Sequence, residues 1–463
     1  MFSNSIGIEL VKNWRFGLDE NTYILAGLSN LSKGRVRMEK NKLLFIALFS
    51  ISALLVLTPL IEAEQPSVDW WPMFHHDQAH TGSSTSEAPL TNQTLWKFKT
   101  GNSLEYSSPA VVNGVAYVGS QDRIFYAIDS ATGKKIWSFE AGYSIKSVAA
   151  VFDNKVYFGS LDNNVYALDA NTGNRVWNFA TGNQVYSSPS VVDGVLYIGS
   201  NDHYVYALNA ESGEKIWSFQ TDNYVWSSPA VVNGVVYIAS WEYVYALNAQ
   251  TGSEIWTFKP DDSMYSSPSV VNGIVYFGSN DGNLYAINAD NGVKVWNFTT
   301  KGYVTSSPTV GDGLVYFGSD DQYFYALDAQ TGEQRWSYKT GDAIDSHAAF
   351  ASGVVYFGSK DDYVYALQAN SGEKIWSYKT GADVESFTSV ANGVVYIGSN
   401  DNYVYAFGSI TVPQPSPTIP EINPNIIFLA IMALTATLIF SVKNTRSRTK
   451  RLIAPHYSVV IDN

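Results

Sequence analysis

Residues 225–259 read VWSSPAVVNGVVYIASWEYVYALNAQTGSEIWTFK, and variants of this stretch recur from about Trp96 to Phe407. Each copy carries a Ser-Ser-Pro-like start, a Val-Tyr-Ile-Gly-Ser-like run, a Tyr-Ala-Leu, a Thr-Gly-like pair and a tryptophan. Eight copies of about 40 residues, each with room for four short strands, predict an all-β, eight-bladed β-propeller. The periodic tryptophans are spaced by 39 to 41 residues and are Trp96, Trp137, Trp177, Trp217, Trp256, Trp296, Trp336 and Trp376.

Four antiparallel strands, A to D, can be assigned in each copy. Strand A follows Ser-Ser-Pro, B is Val-Val-Tyr-Ile, C is Val-Tyr-Ala-Leu and D is Ile-Trp-Thr-Phe. Alternating large and small residues give B and C two buried faces. Pairs such as Asn113-Gly114 join A to B through a tight turn that needs positive φ. Because a proline fits only a strand with a free edge, strand A is expected to face the channel.

The ends of the array complement each other. The Thr-Gly-like turn between C and D occurs seven times, although there are eight tryptophans. The first D strand, residues 93–99, therefore has no strand C before it, and the last strand C, residues 403–407, has no strand D after it. We predict a ring over residues 93–410 in which the N-terminal outer strand completes the eighth blade, because closure removes two open sheet edges.

The pattern AxxxTGxxxW, preceded by YAL and followed by SSPxV, resembles the pyrroloquinoline-quinone-type (PQQ-like) propeller repeat. Residues 70–82, within a lead-in segment placed at 65–92, resemble the segment before the first blade in that family. This resemblance covers about residues 70–408 and implies the fold. It does not imply one function, since the family holds quinone dehydrogenases and non-catalytic scaffolds alike.

Two features favour the scaffold branch of that family. Its quinone enzymes add long insertions over one face, a calcium cluster and usually a vicinal cysteine pair, whereas this chain keeps a spacing of 39 to 41 and has no cysteine. We therefore expect no cofactor and no enzymatic activity. The chain is also similar to the propeller subunit of the bacterial barrel-assembly machinery; that protein is a lipoprotein, so the similarity extends to fold and class of role.

Charge argues against one class of partner. Residues 1–42 hold seven Lys or Arg against four Asp or Glu, and residues 443–463 hold five against one. The formal net charge of the whole chain is −13, so residues 43–442 carry a net charge of −20. Sequence-independent nucleic-acid binding needs Lys and Arg to neutralise phosphates. We therefore expect no nucleic-acid partner.

An apolar stretch lies near each end of the chain. Residues 38–64 are typical of a secretory signal, with an uncleaved signal anchor as the alternative. Since signals start close to the first Met, translation is expected to begin at Met38, and residues 1–37 are not expected in the mature protein. Near the other end, a proline-rich spacer (411–424) precedes a predicted transmembrane helix (425–442) and a basic tail (443–463).

The positive-inside rule places that tail in the cytoplasm and the propeller outside, so we expect a single-pass protein of the cell membrane. The same ending resembles the C-terminal sorting signals of archaeal surface proteins, in which the helix is removed. Both interpretations stay open.

Function is best sought where the copies differ. The position before Ser-Ser-Pro carries an aromatic arc from Tyr186 through Trp226 to Tyr265 and an ionisable arc of Asp345, Glu385 and Lys146. These arcs predict a ligand- or partner-binding site at one channel mouth, with drift at a solvated rim as the alternative. The candidate residues are Tyr106, Lys146, Tyr186, Trp226, Tyr265, Asp345, His347 and Glu385. In the fourth copy, Trp241 of the shortened hairpin is distinctive together with Trp226.

Residues that recur in every blade are expected to be structural. The B-to-C turns carry an aspartate, replaced by Glu242 in the fourth copy, that can accept hydrogen bonds from turn amides; this is favoured over calcium binding. His75, His76 and His80 have a spacing that can bind a metal, but a structural loop is the preferred interpretation. Two sequons, at Asn92 and Asn297, are possible glycosylation sites.

The resulting hypothesis is a monomeric, membrane-tethered propeller that acts as a protein-binding or assembly scaffold. A quinone- or metal-dependent oxidoreductase and a glycan-binding surface protein are the alternatives.

Overall fold

Eight blades form a closed ring in the computed structural model, which describes residues 69–408. Every blade contains four antiparallel strands in the order A to D from the channel outwards, because β-branched and aromatic residues suit sheets that are covered on both faces. The all-β, eight-bladed prediction is confirmed. Blade 7 has a fifth strand, Ser83–Ser84, which pairs in parallel with its strand A.

The strands of blades 1 to 8 have the following bounds. The A strands are Ala110–Val112, Ala150–Phe152, Ser190–Val192, Ala230–Val232, Ser269–Val271, Thr309–Gly311, Ala349–Ala351 and Ser389–Ala391. The B strands are Val115–Gly119, Lys155–Gly159, Val195–Ser200, Val235–Ala239, Ile274–Gly278, Leu314–Gly318, Val354–Gly358 and Val394–Ser399. The C strands are Ile124–Asp129, Asn164–Asp169, Tyr204–Asn209, Val244–Asn248, Asn283–Asn288, Tyr323–Asp328, Tyr363–Gln368 and Tyr403–Gly408. The D strands are Lys135–Glu140, Arg175–Ala180, Lys215–Gln220, Glu254–Phe258, Lys294–Thr299, Gln334–Lys339, Lys374–Lys379 and Thr94–Lys99.

The ring closes as the sequence predicts. The N-terminal strand Thr94–Lys99 pairs antiparallel with Tyr403–Gly408 and becomes strand D of blade 8. The register runs from Thr94 opposite Phe407 to Lys99 opposite Tyr403. The two ends of the repeat array are thereby joined by backbone hydrogen bonds.

Each tryptophan of a D strand fastens its blade to the next one. Its indole N–H donates to a carbonyl in the next blade's C-to-D turn at 2.8–3.3 Å, and the tyrosine of strand B donates to the same carbonyl. Blade 8 has no C-to-D turn, so Trp376 and Tyr356 of blade 7 donate instead to the carbonyl of Pro89 in the lead-in segment. The lead-in segment thus supplies the carbonyl acceptor that a C-to-D turn provides at the other seven junctions.

The turn aspartates also join neighbouring blades. Asp122, for example, accepts from the amide of Ile124 in its own turn, from the hydroxyl of Tyr126 and from the amide of Gly101, which follows the preceding D strand. The structural interpretation of these carboxylates agrees with these bonds.

Glu242 is the exception among the turn carboxylates. Its side chain forms an exposed ion pair with Lys259 at 3.0 Å. Asp222 takes the place of the missing aspartate, because it accepts from the hydroxyls of Tyr245 and Ser240 at 2.7 and 2.6 Å. The shortened hairpin of blade 4 therefore receives its carboxylate from the connection that enters the blade, and grouping Glu242 with the turn aspartates was wrong.

The serine pair at the start of strand A has two separate roles. The first hydroxyl accepts an amide near the end of strand B, as Ser187 does from Gly199 at 3.0 Å. The second hydroxyl accepts an amide of the preceding blade, as Ser228 does from Ser188 at 3.0 Å. Four such hydroxyls connect blades 2 to 6 in succession, whereas blades 7 and 8 carry His347 and Phe387 at this position.

The lead-in segment lies inside the channel and closes one end of it. Backbone carbonyls of residues 71–82 accept the free amides of the A strands in six blades, at 2.7–2.8 Å. The free inner edge that tolerates proline is therefore largely occupied by the chain's own N-terminal segment. We call residues 69–86 the plug.

The three plug histidines differ in environment. His75 and His80 are buried, and burial lowers the pKa of His75 to about 3 and that of His80 to about 4. Burial opposes the charged form of His76 as well, but hydrogen bonds to Asp69 and Asp77 raise its pKa to about 9. His347 packs against the plug through Phe74 and His75, and burial holds its pKa well below the ordinary value.

Within residues 69–408, no helix is long and apolar enough to cross a membrane. The predicted segments at 1–37, 38–64, 411–424, 425–442 and 443–463 lie outside the described residues.

The tryptophan contact predicts the effect of a methyl group at a neighbouring glycine. Gly213 has φ of +74°, and a Cβ there would lie 2.7 Å from the indole of Trp177. Gly194 has φ of +77° with no atom within 4 Å of its Cβ position. Gly194→Ala is expected to cost about 1–2 kcal/mol for the left-handed backbone alone, and Gly213→Ala about 1–3 kcal/mol more through overpacking. Denaturant unfolding of both variants tests this; equal destabilisation would contradict the role of the tryptophan contact.

The buried histidines predict a loss of stability in mild acid. The unfolded chain protonates them near pH 6.5, and the folded chain only at lower pH, so the free energy of unfolding falls as the pH drops from 6.5 to 5. The slope is at most about 1.4 kcal/mol per pH unit for each histidine. His76 acts in the opposite direction, since its contribution is present below pH 6.5 and is lost as the pH rises through 9.

In His347→Phe, the free energy of unfolding is expected to fall less steeply as the pH drops from 6.5 to 5, by the equivalent of about one proton taken up on unfolding. Chemical unfolding at several pH values in this range measures it. An unchanged slope would show that His347 is not buried in its neutral form.

Candidate functional site

A blind cup occupies the end of the channel opposite the A-to-B hairpins. Its volume is about 520 Å³, and its walls come from the connections that enter the A strands and from the B-to-C turns. Phe74 of the plug, His347 and Phe387 form its floor. The ring of Phe74 meets the other two edge-on, with ring centroids 5.4 and 5.5 Å apart. The plug therefore turns a channel into a cavity with one mouth.

The cup brings most of the predicted binding residues together. Tyr106, Lys146, Tyr186, Trp226, Tyr265, Asp345 and His347 all line it. Glu385 does not line it but binds Lys360, which also binds Asp345. His347 lies on the floor and not at the mouth; it stacks on Phe387 with ring centroids 3.6 Å apart and is 6% exposed.

The aromatic arc forms a continuous wall. The rings of Tyr186 and Trp226 stack with centroids 4.9 Å apart and planes 21° apart. Tyr265 follows at 4.8 Å from Trp226, and Trp241 supports both of these rings edge-on. The indole N–H of Trp226 is buried and has no hydrogen-bond partner among the described residues.

An ion pair occupies one end of this wall. Lys146 binds Glu105 at 2.8 Å, and its ammonium lies 5.3 Å from the ring centre of Tyr106 and 5.8 Å from that of Tyr186. Gln121 donates to the same glutamate. Lys146 is thus neutralised locally and is not available to an anionic ligand without loss of this pair.

The opposite side of the cup is acidic. Asp345 is 8% exposed and accepts from Lys360 at 2.6 Å and from the hydroxyl of Thr305 at 3.1 Å. Asp320 lines the same wall, and its Oδ1 is buried without an N–H or O–H donor. Burial, aided by a hydrogen bond to Asp345 and by its charge, raises the pKa of Asp320 to about 7. Asp320 therefore keeps its proton up to about pH 7, beside the ion pair of Asp345 and Lys360.

Lys360 holds this wall together. Burial disfavours its charge, but contact with Asp345 and Glu385 raises its pKa above the ordinary value. Its ammonium contacts the carboxylates of Asp345 and Glu385, and Asp320 lies beside Asp345. With Asp320 protonated, the two carboxylates and one ammonium leave the wall with about one negative charge.

A second variable position contributes to the site, and sequence inspection singled out only Trp241 among its members. It is the residue directly before the turn aspartate, or before Glu242 in blade 4. Its side chains complete the cup: Gln121 holds Glu105, Trp241 supports Trp226, Asn280 and Asp320 line the wall, and Asn400 donates to Glu385 at 2.6 Å. The variation from blade to blade at this position was the available signal. Around the ring it reads Gln121, Leu161, Asn201, Trp241, Asn280, Asp320, Lys360 and Asn400.

The cup does not fit a quinone cofactor with its calcium ion. Pyrroloquinoline quinone carries carboxylates, whereas both lysines of the cup are already bound to carboxylates and the remaining charge is negative. In the part of the chain that the structure describes, no group of three or more His, Asp or Glu is placed to hold a metal ion. Hard cations of this kind take six or more oxygen ligands.

Solved structures share the fold of this chain at low sequence identity. BamB from Moraxella catarrhalis is 18% identical with a TM-score of 0.60, over 68% of this chain and 99% of that chain. Quinohemoprotein alcohol dehydrogenase from Comamonas testosteroni is 17% identical with a TM-score of 0.64, over 73% and 80%. The computationally designed Ika8 protein is 16% identical with a TM-score of 0.62, over 68% and 100%. These similarities show the propeller fold alone.

Comparison of sequences is more specific. No curated protein matches the chain significantly. The family model described as outer membrane protein assembly factor BamB, a PQQ-like repeat model, matches residues 85–190, 162–243 and 240–407. Because these matches cover well over half of the sequence, the chain belongs to this family of PQQ-like repeat β-propellers.

Proposed function

We propose that this chain is a non-catalytic scaffold, tethered to the cell membrane outside the cytoplasm, that binds a protein partner at the mouth of its cup. The observation that carries the proposal is a cup built from blade-specific side chains, open at one end and closed by the plug at the other. Membership of the BamB family supports a role in binding or assembly. The membrane tether rests on the predicted signal and C-terminal helix.

The rim of the cup suits a protein interface. Tyr143, Tyr224 and Tyr303 follow the D strands of blades 1, 3 and 5, and their exposed fractions are 55%, 42% and 53%. Tyrosine is enriched at protein interfaces because its ring offers a large contact area at a low cost in conformational entropy. The rim therefore provides contact area around a pocket that can hold an anchoring side chain.

The outer wall of the ring offers a contrasting surface. Aliphatic side chains of the D strands are exposed there at one repeating position, as with Val176 at 46% and Ile216 at 48%. Because this position recurs from blade to blade, it follows from the repeat and carries no blade-specific information. Side chains at this position are about as exposed as the rim tyrosines, so a probe placed there is a matched control for a probe on the rim.

Site-specific photo-crosslinking in native membranes tests the proposal. A photoreactive phenylalanine at position 143 or 303 is expected to capture the same protein, identified by mass spectrometry. The same probe at position 176 or 216 is expected not to capture it. Trp226→Ala should reduce the yield from the rim positions, because the wall of the cup loses its central ring.

Equal capture from the outer wall, or capture at the rim that Trp226→Ala leaves unchanged, would contradict binding at the mouth. Dye reduction by the purified protein that depends on an added quinone would contradict the non-catalytic assignment.

A further inference from the structure

The centre of the aromatic wall is not paired with any cation of the chain's own described residues. The chain's own Lys146 lies over Tyr106 and Tyr186 at one end of the wall. Among residues 69–408, no lysine or arginine lies over Trp226 or Tyr265. Ring faces carry partial negative charge and attract ammonium and guanidinium groups, with tryptophan the strongest. The centre of the wall can therefore accept a cation from outside.

The acidic wall lacks one positive charge. Asp345 and Glu385 both bind the single ammonium of Lys360, and Oδ1 of the neighbouring Asp320 is buried without a donor. Oδ1 of Asn280, in the corresponding turn of the adjacent blade 5, also has no partner among the described residues. A positively charged group with several N–H donors would supply hydrogen bonds to such oxygens and balance the carboxylates.

The two walls face each other across the ring. The aromatic wall comes from blades 3 to 5, whereas Asp345 and Glu385 come from blades 7 and 8, with Asp320 in blade 6. A long side chain entering the cup would lay its apolar stem along the rings and present its head to the carboxylates. The floor of Phe74, His347 and Phe387 stops a chain from passing through, so the cup suits a projecting side chain.

We propose that the cup receives a lysine or arginine side chain from an extended segment of the protein partner, held between Trp226 and the carboxyl groups of Asp320 and Asp345. This inference rests on the proposed function, because it names what the partner inserts. Charge complementarity selects the basic side chain over acidic and neutral ones, and the exposed tyrosines of the rim favour a protein segment over a free amine.

Titration of Asp320 adds a pH dependence to the same site. Asp320 faces Asp345, Lys360 and Asp321, and its proton is lost as the pH rises through about 7. Loss of that proton makes the wall more negative, whereas a lysine or arginine side chain stays charged throughout this range. Binding of the basic side chain is therefore expected to tighten between pH 6 and 8.

Isothermal titration calorimetry with short peptides tests the inference on the purified full chain. The probes are acetyl-Gly-Gly-Lys-Gly-Gly-amide, its arginine counterpart, its Nε-acetyl-lysine counterpart and free n-butylammonium. Both basic peptides are expected to bind at least about tenfold more tightly than the acetyl-lysine peptide, which keeps the length and loses the charge. They are also expected to bind more tightly than n-butylammonium.

Two cup variants and one control locate the site. Trp226→Leu is expected to weaken binding of the lysine peptide about tenfold. Asp320→Asn is expected to weaken it and to abolish the pH dependence between 6 and 8. Ile216→Ala, on the outer wall, should change neither. Because Asp320→Asn preserves the shape of the side chain, it tests the site even if Trp226→Leu fails to fold.

Equal binding of the acetyl-lysine peptide would overturn the inference, as would unchanged affinity in Asp320→Asn. Equal binding of n-butylammonium would overturn the assignment to a protein segment. The proposed function is tested separately, because rim crosslinking can persist when the basic peptides fail to bind.

Discussion

The contact on which the ring depends joins the tryptophan of each blade to the C-to-D turn of the next. Its indole N–H donates to the turn carbonyl, the strand B tyrosine donates to the same oxygen, and the turn glycine packs directly on the indole. A buried carbonyl left without a donor would be costly. Because each of these carbonyls takes its donors from the neighbouring blade, closure of the ring leaves none of them without a donor.

Closure places two special demands on the chain. The eighth blade takes its outer strand from the N-terminal side of the array, as Thr94–Lys99. The junction between blades 7 and 8 has no C-to-D turn, so the carbonyl of Pro89, just before that strand, accepts the hydrogen bonds of Tyr356 and Trp376. The same N-terminal segment then continues inward as the plug, whose carbonyls satisfy the inner edges of six blades. One stretch of about 30 residues therefore both locks the ring and shapes its cavity.

The cup shows how a repeat protein can acquire a specific site. Positions that satisfy turns, junctions and the core carry the same residue type in most blades, as the aspartate at 122 and the serines at 187 and 188 illustrate. Two variable positions per blade lie at the cup or directly behind its wall and differ from blade to blade. Their variation around the ring has produced an aromatic side, centred on Trp226, and an acidic side, centred on Asp345.

Periodicity by itself determined the eight blades, the four strands in each, the closing strand and the variable position that supplies Trp226 and Asp345, because blade geometry demands the same residue types at the same spacing. Tertiary structure decided the rest. Asp320, Lys360 and Glu105 join the site through turns far apart in sequence, and His347 lies on the floor because the plug packs against it. The plug's path through the channel depends on backbone hydrogen bonds that no residue pattern records. For that reason the sequence predicted a channel mouth with an aromatic and an ionisable side, and only the packed ring revealed that the plug closes this mouth into a cup.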